Sequence, residues 1–335
     1  MEWIYNNGVM YKPPFTITDF ILQKVISISE KIGRISSLPF AEKMPILHRN
    51  NHIESIHSSL VIEANSLSLN QVRDIINGKW VLGPQKEIQE VKNAYEVYEK
   101  MAQFDAFSQE DLLSAHKTMM KYLDDTPGSY RNHEEGVFDG DKLIFMAPPP
   151  ARVPNLMDEL FQWLKEDHDT PILVKSCVFH YEFVFVHPFG DGNGRMARLW
   201  QNVLLIRWNP VFEYLPLESQ IKKYQEEYYQ AIVRCNVAGN STAFVEFMLR
   251  MIDEALEDFL SKAGQESISF YGELNRLLAV MEEEVPLSAN EIMKKLRIKS
   301  KETLRKNYLN PALENGLIKM TLPDKPHSKN QKYFK

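Results

Sequence analysis

Between residues 180 and 199 the chain reads HYEFVFVHPFGDGNGRMARL, a run whose side chains can handle a polyphosphate. Gly192-Asn193-Gly194 permits a tight turn whose backbone N–H groups converge on an anion. The residues after it begin a helix whose positive N-terminal end adds to that field. Arg195 and Arg198 stand three apart on one helical face, so two guanidinium forks can hold successive phosphates, with Met196 and Ala197 in the same turn. Asp191 supplies the hard oxygen that suits Mg²⁺ beside phosphate. His187, a neutral imidazole next to a bound triphosphate, can take the proton of an attacking hydroxyl. Gly192 to Ala197 also fits a loose dinucleotide-binding pattern, but no βαβ unit surrounds it. His180 could pair with His187 and Asp191 around a metal. The absence of a third His or Cys nearby favours a hydrogen-bonded structural histidine.

The elements that must position these residues carry helical periodicity. Thr18 precedes Phe20, Ile21, Val25, Ile28 and Ile32 as an N-cap, and Leu47 to Ile62 repeats the pattern. Further helices are expected over about 86–103, 108–123, 154–166, 172–185, 199–205, 218–234 and 241–261. One segment differs: after Gly128, Gly136 and Asp139-Gly140 break helix and Leu143-Ile144-Phe145 favour strand, so a β-hairpin flap is expected over 136–148, ending at Pro148-Pro149-Pro150. In the tail, Ser288 with Glu291 forms a capping box, Ser300 starts another helix, Pro311 sits in the first turn of a third, and Gly316 stops it before two short strands. That order, with its basic residues, resembles a winged helix-turn-helix.

The chain has 335 residues, 44% of them apolar and 25% charged, enough for a large core and more than one domain. From Val285 onward 12 Lys+Arg face 4 Asp+Glu, a net of +8, against −14 for residues 1–284, so the tail is an electrostatic unit of its own. Cys177 and Cys235 have no paired spacing, which argues against a disulfide framework and for a reducing cytoplasm. The opening residues lack a secretory pattern and no run approaches a membrane span, so no membrane contact is expected.

His187, Phe189, Asp191, Gly192, Asn193, Gly194, Arg195 and Arg198 together match the signature H-x-F-x-(D/E)-G-N-G-R-x-x-R, and the chain resembles the Fic family. Gly128-x-Tyr130-Arg131, the flap, the proline run and then the signature follow the order this family shows. The resemblance implies a mainly α, Fic-type helical bundle with a β-hairpin flap and a small C-terminal winged helix-turn-helix. The expected organisation is an N-terminal helical region (1–100), a catalytic core (101–262), and a linker helix with the winged unit (263–335). It implies transfer of AMP from Mg²⁺-ATP to a Ser, Thr or Tyr hydroxyl of a target protein, and to the protein itself. His187 would be the general base, Phe189 a core anchor and Asp191 the Mg²⁺ ligand. Gly192 to Gly194, with Asn193, would bind the α- and β-phosphates, Arg195 the β-phosphate and Arg198 the γ-phosphate. Leu143, Ile144 and Phe145 would pair with the target segment by strand addition. Tyr228, Tyr229 and Asn236 stand where the family places residues around adenine and ribose, although tyrosines on an amphipathic helix are as often core.

Some Fic proteins carry an inhibitory helix, (S/T)-x-x-x-E-(G/N), whose Glu pairs with the second signature Arg. Ser59 to Glu63 matches it within a helix expected around 52–64, except that residue 64 is Ala. A carboxylate in the Arg198 fork would compete with phosphate. Two other readings stay open: a nucleotide sensor whose basic tail contacts DNA or protein, and a transferase of a different nucleotide or phosphate group. A homodimer is compatible with either.

Overall fold

The chain, seen in a computed structural model, is described over residues 11–36, 45–139, 142–282, 285–314, 317–326 and 328–335. Gly140 and Gly316, read above as helix breakers, lie outside the described residues, as does the opening segment 1–10. Two compact units divide the chain, Met1–Asp258 and Phe259–Lys335. In the first, α1 (Asp19–Ser36), α2 (Pro45–Ile62), α3 (Leu69–Ile76), α4 (Gln85–Tyr98) and α5 (Gln109–Met119) precede an antiparallel hairpin of β1 (Gly136–Asp139) and β2 (Lys142–Met146). There follow α6 (Val153–Glu166), α7 (Ile172–Val186), α8 (Asn193–Trp208), α9 (Leu217–Lys223), α10 (Gln225–Ala238) and α11 (Thr242–Val280), within which the division falls. The mainly α architecture with one hairpin matches the sequence expectation. No helix among the described residues is long and apolar enough to cross a membrane.

Helices α7 and α8 form the centre. ILVKSCVFHYEFVFV has no polar side, and α7 is buried from Leu173 to Phe183; α8 is buried from Arg195 to Ile206. A helix apolar all round must be covered all round, and the neighbouring helices do so, with Trp163, Trp200, Phe179, Phe183 and Phe189 fully buried. The polar side chains this centre encloses are paired. His180 Nδ1–H donates to Gln201 Oε1 at 2.6 Å and its Nε2 accepts from Tyr228 OH at 3.0 Å. His180 is thus a structural histidine, and burial lowers its pKa to about 3. Helix α1 turns Ile21, Ile28, Ile32 and Ile35 inward, while Lys24, Ser27 and Lys31 converge on Asp253 of α11.

Several boundaries differ from those read in sequence. The short α3 is additional to the helices expected from the sequence; the Ser68–Gln71 capping box starts it and Val72 and Ile75 anchor it. Helix α5 ends at Met119 instead of 123, and the single helix expected over 218–234 breaks at Tyr224. Helix α11 runs to Val280 rather than 261.

In the second unit β3 (Leu287–Ser288) leads into α12 (Ala289–Leu296), whose Ser288–Glu291 capping box forms as read. Helical segments Lys301–Leu304, Arg305–Leu309 and Asn310–Glu314 follow, then β4 (Lys319–Met320) and β5 (Lys332–Phe334) in a sheet of order β3-β5-β4. Leu274, Leu277, Ile292, Leu304, Tyr308, Leu309 and Ile318 belong to a separate core here.

Candidate nucleotide site

Helix α7 ends at Val186, and His187 caps it in the left-handed conformation (φ 50°, ψ 60°). That turn throws the chain back over five residues to Gly192, also left-handed (φ 82°), from which α8 starts antiparallel. A side chain at Gly192 would be strained by its φ and would meet Met120 Sδ at 2.8 Å. Asn193 closes the loop: its amide donates to Phe189 O at 2.8 Å and accepts from Phe189 N at 2.9 Å. The Asn193 side chain is spent on that brace, so what it offers an anion is its backbone N–H. With Gly194 and Arg195 it begins α8, where no preceding turn satisfies the N–H groups.

His116, unassigned in the sequence reading, supports the loop from beneath. Its ring stacks on Phe189 with centroids 3.6 Å apart, and its Nδ1 accepts from Gly128 N at 2.9 Å. The proton is therefore on Nε2, which donates to Asp191 O at 3.1 Å. Burial lowers this pKa to about 4 and keeps the ring neutral.

His187 faces the cavity beside α8. Its Nδ1 lies 3.3 Å from Val184 O, which fixes the proton there and leaves Nε2 with its lone pair. Burial pushes its pKa below the ordinary value, against the carbonyl of Val184 and the charge of Glu135 that raise it. A neutral imidazole with a free Nε2 is a competent base.

The two arginines are held differently. Arg195 is 4% exposed; its Nη2 donates to Asp191 Oδ1 at 2.9 Å, and its Nη1 lies 3.6 Å from Glu90 Oε1. Its Nε is buried without a hydrogen-bond partner among the described residues. Arg198 is buried, with Nη2 donating to Glu63 Oε1 at 2.7 Å and to Ser59 O at 3.1 Å, and Nε to Ser59 Oγ at 3.1 Å. Burial disfavours its charge, but the Glu63 carboxylate more than offsets this and raises its pKa. A Cβ at Gly194 would collide with Glu63 Oε1, so that carboxylate lies on the first turn of α8, where an anion is best stabilised. The α2 end that carries Glu63 closes with Ala64 N bonded to Val61 O and Asn65 N to Leu60 O, a Schellman pair with Ala64 left-handed at φ 64°. Asn65 then donates to Glu90 Oε2 at 2.8 Å, so Glu90 touches both the α2 end and Arg195.

A cavity of about 640 Å³, a fitting size for a small ligand, is lined by Glu63, Phe145, His187, Gly194, Arg198 and residues of α10. Tyr229 and Asn236 reach it from α10. Tyr229 is 44% exposed with its OH on Ile62 O at 3.3 Å, and Asn236 Oδ1 accepts from Tyr181 OH at 2.9 Å, leaving its amide nitrogen as a donor. Tyr228 borders the same cavity but is 2% exposed and packed in the core. Met196 and Ala197 point into the core and are fully buried. From the flap, Phe145 rests against Phe185 at 5.3 Å, while in the strand backbone Leu143 pairs with Phe138 and Ile144 falls at the register shift between Val137 and Phe138.

Residues 106–205 match the model of the Fic/DOC family, and 272–334 match that of the Fic-like C-terminal domain. A solved Fic family protein from Desulfovibrio desulfuricans G20 is 43% identical to this chain, covering 97% of it and 98% of that protein, with a TM-score of 0.73. The chain belongs to the Fic family. Fic-1 of Caenorhabditis elegans shares the fold at 21% identity and a TM-score of 0.63, each chain covered over 73%. The curated protein adenylyltransferase Fic of Drosophila virilis is 25% identical over 251 residues, 71% of this chain and 49% of that protein. This Fic protein thus spans about half the length of the curated relatives it matches.

Proposed function

We propose that this Fic protein transfers AMP from Mg²⁺-ATP to a Ser, Thr or Tyr hydroxyl of a target protein and of itself, and that Glu63 restrains the reaction. One observation carries the reading: Gly194 at the open N-terminus of α8, Arg198 and His187 with its free Nε2 line one cavity, and the Glu63 carboxylate sits on the first turn of α8 within it. The names of the curated relatives support the same activity.

In this reaction His187 Nε2 takes the hydroxyl proton while the oxygen attacks the α-phosphorus, the bond to the β-phosphate oxygen breaks, and pyrophosphate leaves. The backbone N–H groups from Gly192 to Gly194 hold the α- and β-phosphates, Arg195 the β-phosphate and Arg198 the γ-phosphate. Asp191 is 49% exposed and beside the helix end, and one carboxylate plus phosphate oxygens is a usual Mg²⁺ environment; no cluster of three or more ligands exists among the described residues. Mg²⁺ would neutralise phosphate charge there. Tyr229 and Asn236 border the base and ribose, with Tyr228 behind them, and β2 offers an edge to the acceptor segment. Both cysteines are free and buried, which suits a reducing cytoplasm.

Intact-mass and peptide mass spectrometry after incubation with Mg²⁺-ATP tests this. The expected result is the mass of AMP on a hydroxyl side chain, more of it in Glu63→Gly; ATP turnover with no protein-bound AMP in either form excludes the transferase.

A second reading concerns the C-terminal unit. Its helical stretch 301–314 buries Leu304, Tyr308, Leu309 and Ala312 and exposes Lys301, Arg305, Lys306 and Asn310, and the following hairpin exposes Lys325, Lys329 and Lys332. A winged helix with this face suits a nucleic-acid backbone. The full chain should shift duplex DNA at low salt and lose the shift in Arg305→Ala/Lys306→Ala; no shift leaves a protein partner as the better assignment.

A further inference from the structure

Arg131 enters neither the phosphate site nor the proton transfer, yet it is 5% exposed and bonds to backbone on every side. Its Nε donates to His187 O at 2.7 Å and its Nη2 to Val186 O at 3.3 Å, the last carbonyls of α7. Its backbone N–H donates to Pro188 O at 2.9 Å. The same Nη2 donates to Pro148 O at 2.6 Å, just after β2, and Nη1 donates to His133 O at 2.8 Å, just before β1. The guanidinium therefore plays two parts. It caps the negative end of α7 and satisfies carbonyls that the left-handed turn at His187 leaves without helical partners. It also ties down both roots of the flap, which Ala147 N to Glu135 O closes beside it at 3.0 Å.

We propose that Arg131 is a positioning residue for the acceptor: it fixes the distance between β2, where the acceptor segment would add as a strand, and Nε2 of His187. The inference rests on the adenylyl-transfer reading above. Only a planar fork with five donors can serve four carbonyls lying in different directions, which an ammonium with three donors cannot reproduce. The nucleotide is held by other groups, namely the α8 N-terminus, Arg195 and Arg198, so loss of Arg131 should separate acceptor alignment from ATP binding.

The test uses the full chain carrying Glu63→Gly, with Arg131→Lys and Arg131→Ala added singly. ATP affinity by calorimetry should stay within about threefold, while kcat for AMP transfer falls about a hundredfold in Arg131→Ala and about tenfold in Arg131→Lys, the scale of an ångström of misalignment. Amide hydrogen exchange should quicken at 136–139 and 142–147 in both variants and stay unchanged in α4 and in the C-terminal unit. If ATP affinity falls in step with transfer, or the flap amides keep their protection, the proposal is overturned. If Arg131→Ala fails to fold, Arg131→Lys decides alone. Should the Glu63→Gly parent transfer no AMP, the adenylyl-transfer reading has failed, and the binding and exchange measurements still decide whether Arg131 couples flap and loop.

Discussion

Two helix ends meet over the first turn of α8, the C-terminus of α2 at Ser59–Asn65 and the loop from His187 to Gly192. Both turn on left-handed residues, and they are secured in opposite ways. The loop is fastened on every side: Asn193 brackets Phe189, His116 holds Asp191 O, and Arg131 holds His187 O. Its second left-handed position is a glycine. The α2 end meets α8 through Glu63 and Ser59 on Arg198 and is tied to α4 by Asn65 on Glu90 and to α10 by Tyr229 on Ile62 O, and its left-handed position is Ala64, whose Cβ makes that conformation unfavourable by about 1–2 kcal/mol. On the proposed function, the difference teaches that the loop carrying His187 is fixed by neighbours on every side, while the segment carrying Glu63 bears a strained left-handed alanine that could be released when phosphate competes for Arg198.

The largest effect expected is on the rigid side. His187→Ala should lower AMP transfer by about a thousandfold or more while ATP affinity hardly changes, because no phosphate contact is lost. Single-turnover rates and calorimetry measure the two, and a parallel fall in affinity would show that His187 shapes the loop instead of acting as base. Next, Glu63→Gly should raise AMP incorporation by at least about tenfold, since the Arg198 fork becomes free to set the triphosphate in line. Adding Arg198→Ala should cancel the gain; equal incorporation by wild type and Glu63→Gly would remove the brake from the comparison.

A smaller change probes the balance itself. Ala64→Gly relieves the left-handed Cβ, offset in part by the freedom glycine gives the released segment, for a net of roughly 0.5–1 kcal/mol toward the closed state. Basal AMP incorporation should fall about two- to fivefold and should not move when Glu63 is already Gly. An increase would mean that Ala64 tightens the α2 end.

The smallest effect is on pH dependence. His187 is depressed below its ordinary value by burial, so transfer should be level near neutrality and decline only as pH drops below about 6.5, when the base takes a proton. His116, depressed to about 4, binds its proton in the unfolded chain before it does so in the fold. Its share of stability is complete above about pH 6.5 and is lost as pH falls toward 4. Denaturant titrations of wild type and His116→Gln across that range should differ in slope, and identical slopes would count against His116 as the neutral support of the loop.

Much of this was legible in residue order. The Gly192–Gly194 turn, Arg195, Arg198 and His187 stand within twelve residues, so local geometry places them on one loop and helix start; the flap and the main helices follow from turn residues and period. The boundaries that shifted lie where pattern is weak: α3 is only eight residues long, and α11 continues past the polar run that followed 261. Asn193 shows the limit from inside the motif, because its side chain could equally have served an anion, and only the closure onto Phe189 shows which carbonyl it meets.

The sequence by itself determined the residue types and the near-neighbour chemistry, including the Ser59–Glu63 pattern four residues apart on one helix. It could not determine that Glu63 lies on Gly194, that Glu90 joins Asn65 to Arg195, or that Arg131 meets α7 and both flap roots. Apart from Arg131 on His133, these contacts join residues 17 to 131 positions apart, and packing of α2, α4 and the flap around α7 and α8 creates them. Periodicity shows which face of a helix is buried, but only the packed arrangement determines which buried carboxylate or carbonyl each guanidinium reaches.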